Sequence, residues 1–179
     1  MQRLAEDLYL LSGFPRCAIN QYLAGDVLID AGSRHAAGRI LRELKDGRIR
    51  ERMPPALINS LIGQVFPGPP HPVARRLREG DTVAGFQLLD TPGHSAGHVS
   101  FWRESDRTLI CGDVFTNMDT ITGLPGLREP KSFFTPDPAR NRQSMRRLAE
   151  LEPALVCFGH GRPLRDPARL RDFVARLRD

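Results

Sequence analysis

The chain has no apolar run that approaches the roughly 20 residues a membrane-spanning helix requires. Residues 1–7 also lack the basic start and apolar centre of a signal peptide, so we expect a cytoplasmic protein with no membrane partner. Cysteine is scarce and odd in number, and Cys17, Cys111 and Cys157 all lie in apolar runs. This pattern predicts buried free thiols rather than a disulfide framework.

Lysine and aromatic residues are also few. Aromatic side chains make up 7% of the residues, and lysine occurs only at Lys45 and Lys131, so arginine carries nearly all of the positive charge behind the net +5. A basic surface can attract phosphates, but these arginines are interleaved with acids and concentrate on the polar faces of predicted helices. Because few aromatic rings are present for bases to stack on, nucleic acid is not the expected partner.

Groups of short strands alternate with amphipathic helices, a pattern typical of a single α+β domain over residues 1–179. Strands are predicted at 7–12, 17–23, 26–30, 84–91, 98–103, 107–112 and 154–159. Helices are predicted from Ser33 to Gly47, over 55–66, from Asp137-Pro138 to Leu151, and after Asp166-Pro167. Residues 115–137 have prolines and phenylalanines without periodicity, which predicts a long loop of the kind that often serves function.

Three side chains of metal-ligand type follow three apolar strands, each directly after a glycine. They are His94, Asp113 and His160. Glycine permits a sharp turn and leaves room for a neighbour or a metal, and rigid strand ends let side chains converge at little entropic cost. Two imidazoles and a carboxylate suit zinc, iron or manganese. The three residues are therefore candidate metal ligands.

Each of these candidates also has a purely structural interpretation. A histidine after glycine, such as His160, is often a turn residue bonded to backbone, and Asp113 could cap the next segment. His98 begins the next predicted strand, which favours a role in supporting the ligands over direct binding. His35, near a helix start, and His71, inside a proline-rich loop, have weak contexts for a site.

In order and spacing, four segments resemble the motifs of the metallo-β-lactamase fold superfamily, and TPGHSAGH is close to the form in its glyoxalase II-like hydrolase branch. The segments are LIDAG (28–32), TPGHSAGHVSFW (91–102), LICGDVF (109–115) and CFGHG (157–161). The resemblance covers nearly the whole chain and implies an α+β fold, a four-layer αββα sandwich. It also implies that His94 and His160 bind zinc, iron or manganese, and that Asp113 matches an aspartate that bridges two metals.

The principal motif of that superfamily, H-x-H-x-D-H, is missing from its expected place between the first helix and TPGH. No pair of histidines two apart occurs in the sequence, which implies an internal deletion of a strand–helix–strand piece. The resemblance then leaves two protein ligands per metal, or one weak site at His94, Asp113 and His160, whereas catalytic zinc sites usually have three protein ligands and a water. The deletion would also expose a sheet edge, so a homodimer is an expectation.

Two functions compete on this basis. The first is a metal-dependent hydrolase of an ester, thioester or related bond, impaired by the missing motif, with a small-molecule substrate lying against Ile62, Phe133 and Phe134. The second is a non-catalytic binding or interaction module, a pseudoenzyme that kept the scaffold and lost the motif. A nuclease-like protein that uses the arginines is a weaker alternative, since no aromatic stacking platform accompanies them.

Overall fold

The computed structural model describes residues 1–11, 17–29, 40, 42–43 and 75–178. They divide into two compact units, Met1–Arg76 and Leu77–Asp179. Several predictions fall outside the described residues: most of the helix beginning at Ser33, the helix over 55–66, the turn of the LIDAG segment, and the candidates His35, Ile62 and His71. The described residues of the first helix, Ile40, Arg42 and Glu43, are helical as predicted. The single domain over 1–179 stays a prediction.

A four-stranded antiparallel sheet in the order β1-β2-β3-β4 forms the first unit. Its strands are β1 (Gln2–Ala5), β2 (Leu8–Leu10), β3 (Tyr22–Ala24) and β4 (Val27–Ile29). Gly25, with a φ of 57°, makes the tight turn between β3 and β4. Leu8 and Leu23 are completely buried, and Leu23 packs with Leu11 and Ile40 in the core of this unit.

The strand predictions for this unit are partly confirmed. β2 and β4 lie within the ranges predicted for them, but the strand predicted at 17–23 is wrong over 17–21, and β1 was not predicted. Cys17 has a φ of 62°, which is incompatible with an extended strand, and residues 17–19 form a turn and bend instead. The apolar residues of this turn are not uniformly buried, since Cys17 is buried and Ile19 is exposed.

A five-stranded mixed sheet in the order β11-β8-β7-β6-β5 forms the centre of the second unit. Its strands are β5 (Thr82–Val83), β6 (Phe86–Asp90), β7 (Val99–Arg103), β8 (Thr108–Gly112) and β11 (Leu155–Phe158). The four longer strands confirm the predictions at 84–91, 98–103, 107–112 and 154–159. Every residue of β11 is buried, as its continuous apolar sequence indicates for a strand covered on both faces.

Two helices follow the pattern predicted for the second unit. They are α1 (Pro138–Glu150) and α2 (Pro167–Ala175). Each begins with an Asp-Pro pair, in which the aspartate carboxylate accepts a hydrogen bond from a first-turn backbone N–H and proline takes the first helical position. Met145 and Leu148 of α1 pack with Val156 and Phe158 of β11 in the core. Within the described ranges, no helix combines the length and the apolar character that a membrane span needs.

The segment predicted as a long loop, 115–137, contains regular structure. It has a two-stranded antiparallel hairpin of β9 (Thr116–Met118) and β10 (Pro125–Arg128), followed by a 3-10 turn over Ser132–Phe134. The Asp119 carboxylate organises the hairpin end, because it accepts hydrogen bonds from the backbone N–H groups of Ile121 and Thr122 and pairs with Arg128. All three cysteines are free and buried, as predicted.

Candidate metal centre

The connectivity of the five-stranded sheet brings three strand ends to one edge. β6 and β8 are both antiparallel to β7, and β11 is parallel to β8, so β6, β8 and β11 run in the same direction. Each of these strands is followed within a few residues by one of the predicted ligands. His94, Asp113 and His160 therefore leave the sheet at the same edge.

The two histidines face one carboxylate oxygen. His94 Nε2 lies 3.7 Å from Asp113 Oδ2, and His160 Nε2 lies 3.5 Å from the same oxygen. The three side chains are between 21% and 28% exposed, so a small solute can reach them. The structure thus brings together all three residues predicted as ligands, and their role in binding metal stays a prediction.

These neighbours do not form a closed ligand set. Two atoms bound to one tetrahedral zinc at about 2.0–2.1 Å lie roughly 3.4 Å apart, slightly closer than either nitrogen–oxygen distance here. Among the described residues, no group of three or more His, Cys, Asp and Glu side chains is arranged to hold a metal ion. Binding a metal at Asp113 would require the histidines to move inward by a few tenths of an ångström.

The second oxygen of Asp113 is buried without a hydrogen-bond partner among the described residues. It lies against Gly159, where a Cβ atom would come within 2.2 Å of Asp113 Oδ1. Glycine is therefore required before His160 so that the carboxylate fits. A buried charged oxygen that lacks a donor is costly, and such cost is often found where a protein holds a ligand.

His98 holds the backbone of Asp113 by a hydrogen bond. The backbone N–H of Asp113 donates to His98 Nε2 at 3.2 Å, and His98 Nδ1 lies 3.0 Å from Thr91 Oγ1. Because Nε2 accepts a hydrogen bond, the proton of neutral His98 is on Nδ1 and points to Thr91. Thr91 in turn contacts Ser100 Oγ at 2.9 Å. Both ring nitrogens of His98 are occupied by protein partners.

Burial lowers the pKa of His98 to about 4, although the Asp113 charge opposes this shift. The unfolded chain therefore binds more protons than the metal-free folded protein between about pH 6.5 and pH 4, and stability falls as pH decreases through that window. From the depressed pKa we expect His98 to contribute roughly 2 kcal/mol of this loss by pH 5.

Denaturant unfolding of the metal-free protein at several pH values, compared with a His98→Gln variant, measures that contribution. Glutamine can accept from the Asp113 N–H and donate to Thr91 but does not titrate. The difference between the two proteins isolates His98, since the other histidines are common to both. Parallel stability curves between pH 7 and pH 5 would show that His98 is not the acid-sensitive group.

The Pro92-Gly93 turn that presents His94 is fixed by the start of α1. A Cβ at Gly93, whose φ is +133°, would meet the backbone nitrogen of Asn141 at 2.2 Å. Ser144 Oγ donates to the carbonyl of Pro92 at 2.8 Å. The ring of His94 is held at its other nitrogen, since Nδ1 lies 3.2 Å from Thr135 Oγ1. Helix α1 and Thr135 thereby fix the backbone and the ring of His94.

His160 is positioned by the hairpin strand β9. Its carbonyl accepts from the Asn117 N–H at 2.9 Å, and a Cβ at the neighbouring Gly161 would meet the Asn117 carbonyl carbon at 2.4 Å. This close approach of two backbones, together with a φ of +97°, explains glycine at 161. Glycine is therefore required on both sides of His160, at positions 159 and 161.

The charges of the site favour an ionised carboxylate. Burial raises the pKa of Asp113, but the neighbouring His160, His94 and His98 together lower it below its usual value. Burial lowers the pKa of His94, and the Asp113 charge only partly opposes this. Near neutral pH the centre therefore combines a carboxylate with a neutral His94, as a metal ligand set requires.

The predicted pocket residues Phe133 and Phe134 lie on the protein surface. Phe133 is 65% exposed and Phe134 55%, with ring centroids 4.4 Å apart. They belong to the 3-10 turn that ends at Thr135, the residue in contact with His94. Ile121 and Leu124 on the preceding hairpin are also largely exposed. The two rings are an exposed platform rather than the wall of an enclosed pocket.

Sequence reasoning missed two polar residues of the site, Thr91 and Thr135. Thr91 begins the TPGH segment and is fully buried against His98, so its place in the motif was an available signal. Thr135 contacts His94 across 41 positions of the chain. It lies in a segment without periodicity, where no local pattern could reveal this contact.

This fold is that of a known class of proteins. Residues 61–160 match the family model of the metallo-β-lactamase superfamily, more than half of the chain, and the chain belongs to that superfamily. A crystal structure of a metallo-β-lactamase family protein from Thermus thermophilus superimposes with a TM-score of 0.60, covering 97% of this chain and 80% of that one. At 21% identity, this likeness shows the fold alone. The predicted family and α+β fold class are confirmed.

Two relatives of this chain have hydrolase names. A probable metallo-hydrolase of Bacillus subtilis, YybB, is 37% identical over 90 residues, which cover 50% of this chain and 39% of that protein. An N-acyl homoserine lactonase of Bacillus thuringiensis is 34% identical over 90 residues, which cover 48% of this chain and 35% of that protein. The chain thus spans between a third and two fifths of the length of these two relatives.

Proposed function

We propose that the chain is a metal-dependent hydrolase in which His94, Asp113 and His160 hold one divalent metal ion. The observation that carries the proposal is the position of both Nε2 atoms within 3.7 Å of Asp113 Oδ2. The buried Asp113 Oδ1, which lacks a hydrogen-bond partner among the described residues, supports it further. A cation at this position would compensate a charge that the protein itself leaves unsatisfied.

The chemical types of these donors suit such an ion. Two imidazoles and one carboxylate are a known combination for catalytic zinc, and they leave a fourth position for water. An ion held by His94, Asp113 and His160 would supply the acidification of water that hydrolysis of an ester, thioester or lactone requires. The protein keeps His94 neutral by burial and fixes the Asp113 backbone through His98. Iron or manganese would suit the same donors.

The substrate we propose is a small molecule with an acyl group. Phe133 and Phe134 offer an exposed apolar surface on the turn that leads to Thr135, beside His94. Large exposed apolar patches commonly mark binding sites, and the relative named N-acyl homoserine lactonase acts on a substrate of this kind by its name. The two rings would bind the acyl chain of such a substrate.

The full chain, purified without chelators, provides the test by elemental analysis and by hydrolysis of acyl esters and lactones of graded chain length. We expect stoichiometric metal and hydrolysis that is lost in His94→Ala. We also expect Phe133→Ala to raise KM for long acyl chains and to leave short ones unchanged, with Ile121→Ala as an exposed apolar control. A protein that binds no added metal and hydrolyses none of these substrates would contradict the proposal.

A non-catalytic binding module is the second candidate. The observation in its favour is that, in the part of the chain that the structure describes, no group of three or more His, Cys, Asp and Glu side chains is arranged to hold a metal ion, while the sequence has no H-x-H-x-D-H motif to supply further ligands. It predicts a stable fold without stoichiometric metal, and acyl ligands that still bind the Phe133-Phe134 surface. Equilibrium binding of a non-hydrolysable acyl amide, with and without Zn²⁺, separates the two candidates.

A further inference from the structure

We propose that Thr135 is a positioning residue that fixes His94 as the tautomer with its proton on Nδ1, so that the Nε2 lone pair faces Asp113. The inference concerns the hydrogen bonding of the metal-free protein, and its consequence for metal binding rests on the function proposed above. It starts from two contacts of one hydroxyl group. Thr135 Oγ1 lies 3.2 Å from His94 Nδ1 and 3.0 Å from the carbonyl oxygen of Lys131.

The direction of these hydrogen bonds follows from counting protons. A hydroxyl has one proton to donate, and a carbonyl oxygen can only accept. Thr135 therefore donates to the Lys131 carbonyl and presents a lone pair to His94. The proton between Thr135 Oγ1 and His94 Nδ1 must then come from the ring, so Nδ1 of His94 carries the ring proton. In the neutral ring the other nitrogen, Nε2, is then a bare lone pair.

The Lys131 carbonyl is itself held in place beside the Thr135 hydroxyl. It also accepts the Phe134 N–H at 3.0 Å in the 3-10 turn. The Lys131 ammonium pairs with Asp119 at 2.6 Å, and that carboxylate is bound by the backbone N–H groups of Ile121 and Thr122. The chain of contacts runs from the end of the hairpin through Lys131 to Thr135.

Because the contact between Thr135 and His94 is buried, it can determine which ring nitrogen of His94 carries the proton. Thr135 is only 3% exposed, so water does not readily replace the hydroxyl as a partner. Without Thr135, the ring proton would be better placed on Nε2, where it can be donated to Asp113 Oδ2, now 3.7 Å away. That tautomer is unable to bind metal through Nε2. Thr135 therefore selects the form of His94 that directs a lone pair toward the carboxylate.

Nitrogen-detected NMR of the full-length, metal-free protein with labelled histidine tests the inference at about pH 8, where histidine is neutral. We expect wild-type His94 to carry its proton on Nδ1. Thr135→Val keeps the shape but removes the hydroxyl, and should shift the proton to Nε2. Thr135→Ser retains the hydroxyl and should restore the wild-type pattern. A wild-type His94 protonated on Nε2 would overturn the inference without any variant.

Titration with Zn²⁺ alone supplies a second readout. Loss of a partner that orients a metal-bound histidine typically weakens metal affinity by about 10–100-fold, so we expect this loss in Thr135→Val and recovery in Thr135→Ser. An affinity in Thr135→Val equal to that of the wild type, with an unchanged tautomer, would refute the role of Thr135. If the wild type bound no Zn²⁺ while the tautomers behaved as expected, the metal site would fail and the positioning role would stand.

Discussion

Replacing Asp113 by asparagine is expected to weaken metal binding while it stabilises the metal-free protein. Both histidines face Asp113 Oδ2, and Oδ1 is buried without a hydrogen-bond partner among the described residues. Asparagine removes the negative charge, so binding of Zn²⁺ should be weakened by at least about 100-fold. Loss of a residue that only hydrogen-bonds a metal ligand typically weakens binding by about 10–100-fold, which is less. The amide can donate to a neutral imidazole nitrogen, so the metal-free protein should gain roughly 1 kcal/mol.

The opposite signs of the two effects make this test sharper than loss of activity alone. Urea unfolding with a chelator gives the stability at pH 8, and Zn²⁺ titration gives the affinity. Asp106→Asn is the matched control, because its carboxylate is satisfied by Arg103 at 2.6 and 3.0 Å. That variant should retain Zn²⁺ affinity and gain no stability. If Asp113→Asn, like Asp106→Asn, brought no gain in stability to the metal-free protein, the Asp113 carboxylate would be an ordinary structural group.

The convergence of the three candidate ligands could be predicted from the sequence because each follows a strand. His94, Asp113 and His160 each follow an apolar run and a glycine, and the runs are long enough to be recognised. Three such runs that end in polar residues indicate a common sheet edge if the strands are parallel to one another. The mixed sheet satisfies this condition. β7 lies between β6 and β8 and is antiparallel to both, so β6 and β8 run in the same direction.

Contacts between distant segments were beyond sequence reasoning. The β9–β10 hairpin depends on the Asp119 carboxylate, whose partners Arg128 and Lys131 are scattered through a segment of prolines and glycines. Thr135 reaches His94 only because this hairpin and the following 3-10 turn direct it there. Neither contact produces a periodic pattern, so the segment was predicted as an irregular loop.

The exposure of apolar residues was also not predictable from the sequence. Phe133 and Phe134 were predicted to line a pocket, but an apolar side chain has the same sequence signature whether it packs in a core or lies on a surface. In the structure both rings are more than half exposed. The run that begins at Cys17 is a second example. Its apolar residues suggested a strand, but Cys17 has a left-handed backbone conformation and forms a turn.

Replacing Gly159 by alanine is expected to disrupt the metal centre through a single steric contact. The added Cβ would lie 2.2 Å from Asp113 Oδ1 and 3.4 Å from the backbone carbon of Gly112, so the carboxylate must move. The Gly159 N–H also donates to the Gly112 carbonyl at 2.8 Å, which restricts relaxation of β11. Overpacking of this kind costs about 1–3 kcal/mol, and displacement of Asp113 should abolish high-affinity Zn²⁺ binding.

Two comparisons attribute that effect to the carboxylate. Gly97→Ala, in the same TPGHSAGH segment, places a Cβ with no heavy atom within 4 Å, so it should leave both stability and Zn²⁺ affinity near wild type. In an Asp113→Ala background the clashing oxygen is absent, and Gly159→Ala should then cost little further stability. A double-mutant cycle by urea unfolding measures this coupling. If Gly159→Ala destabilised both backgrounds equally, Gly159 would be needed for the strand itself. If it destabilised only the background that has Asp113, this glycine makes room for the carboxylate.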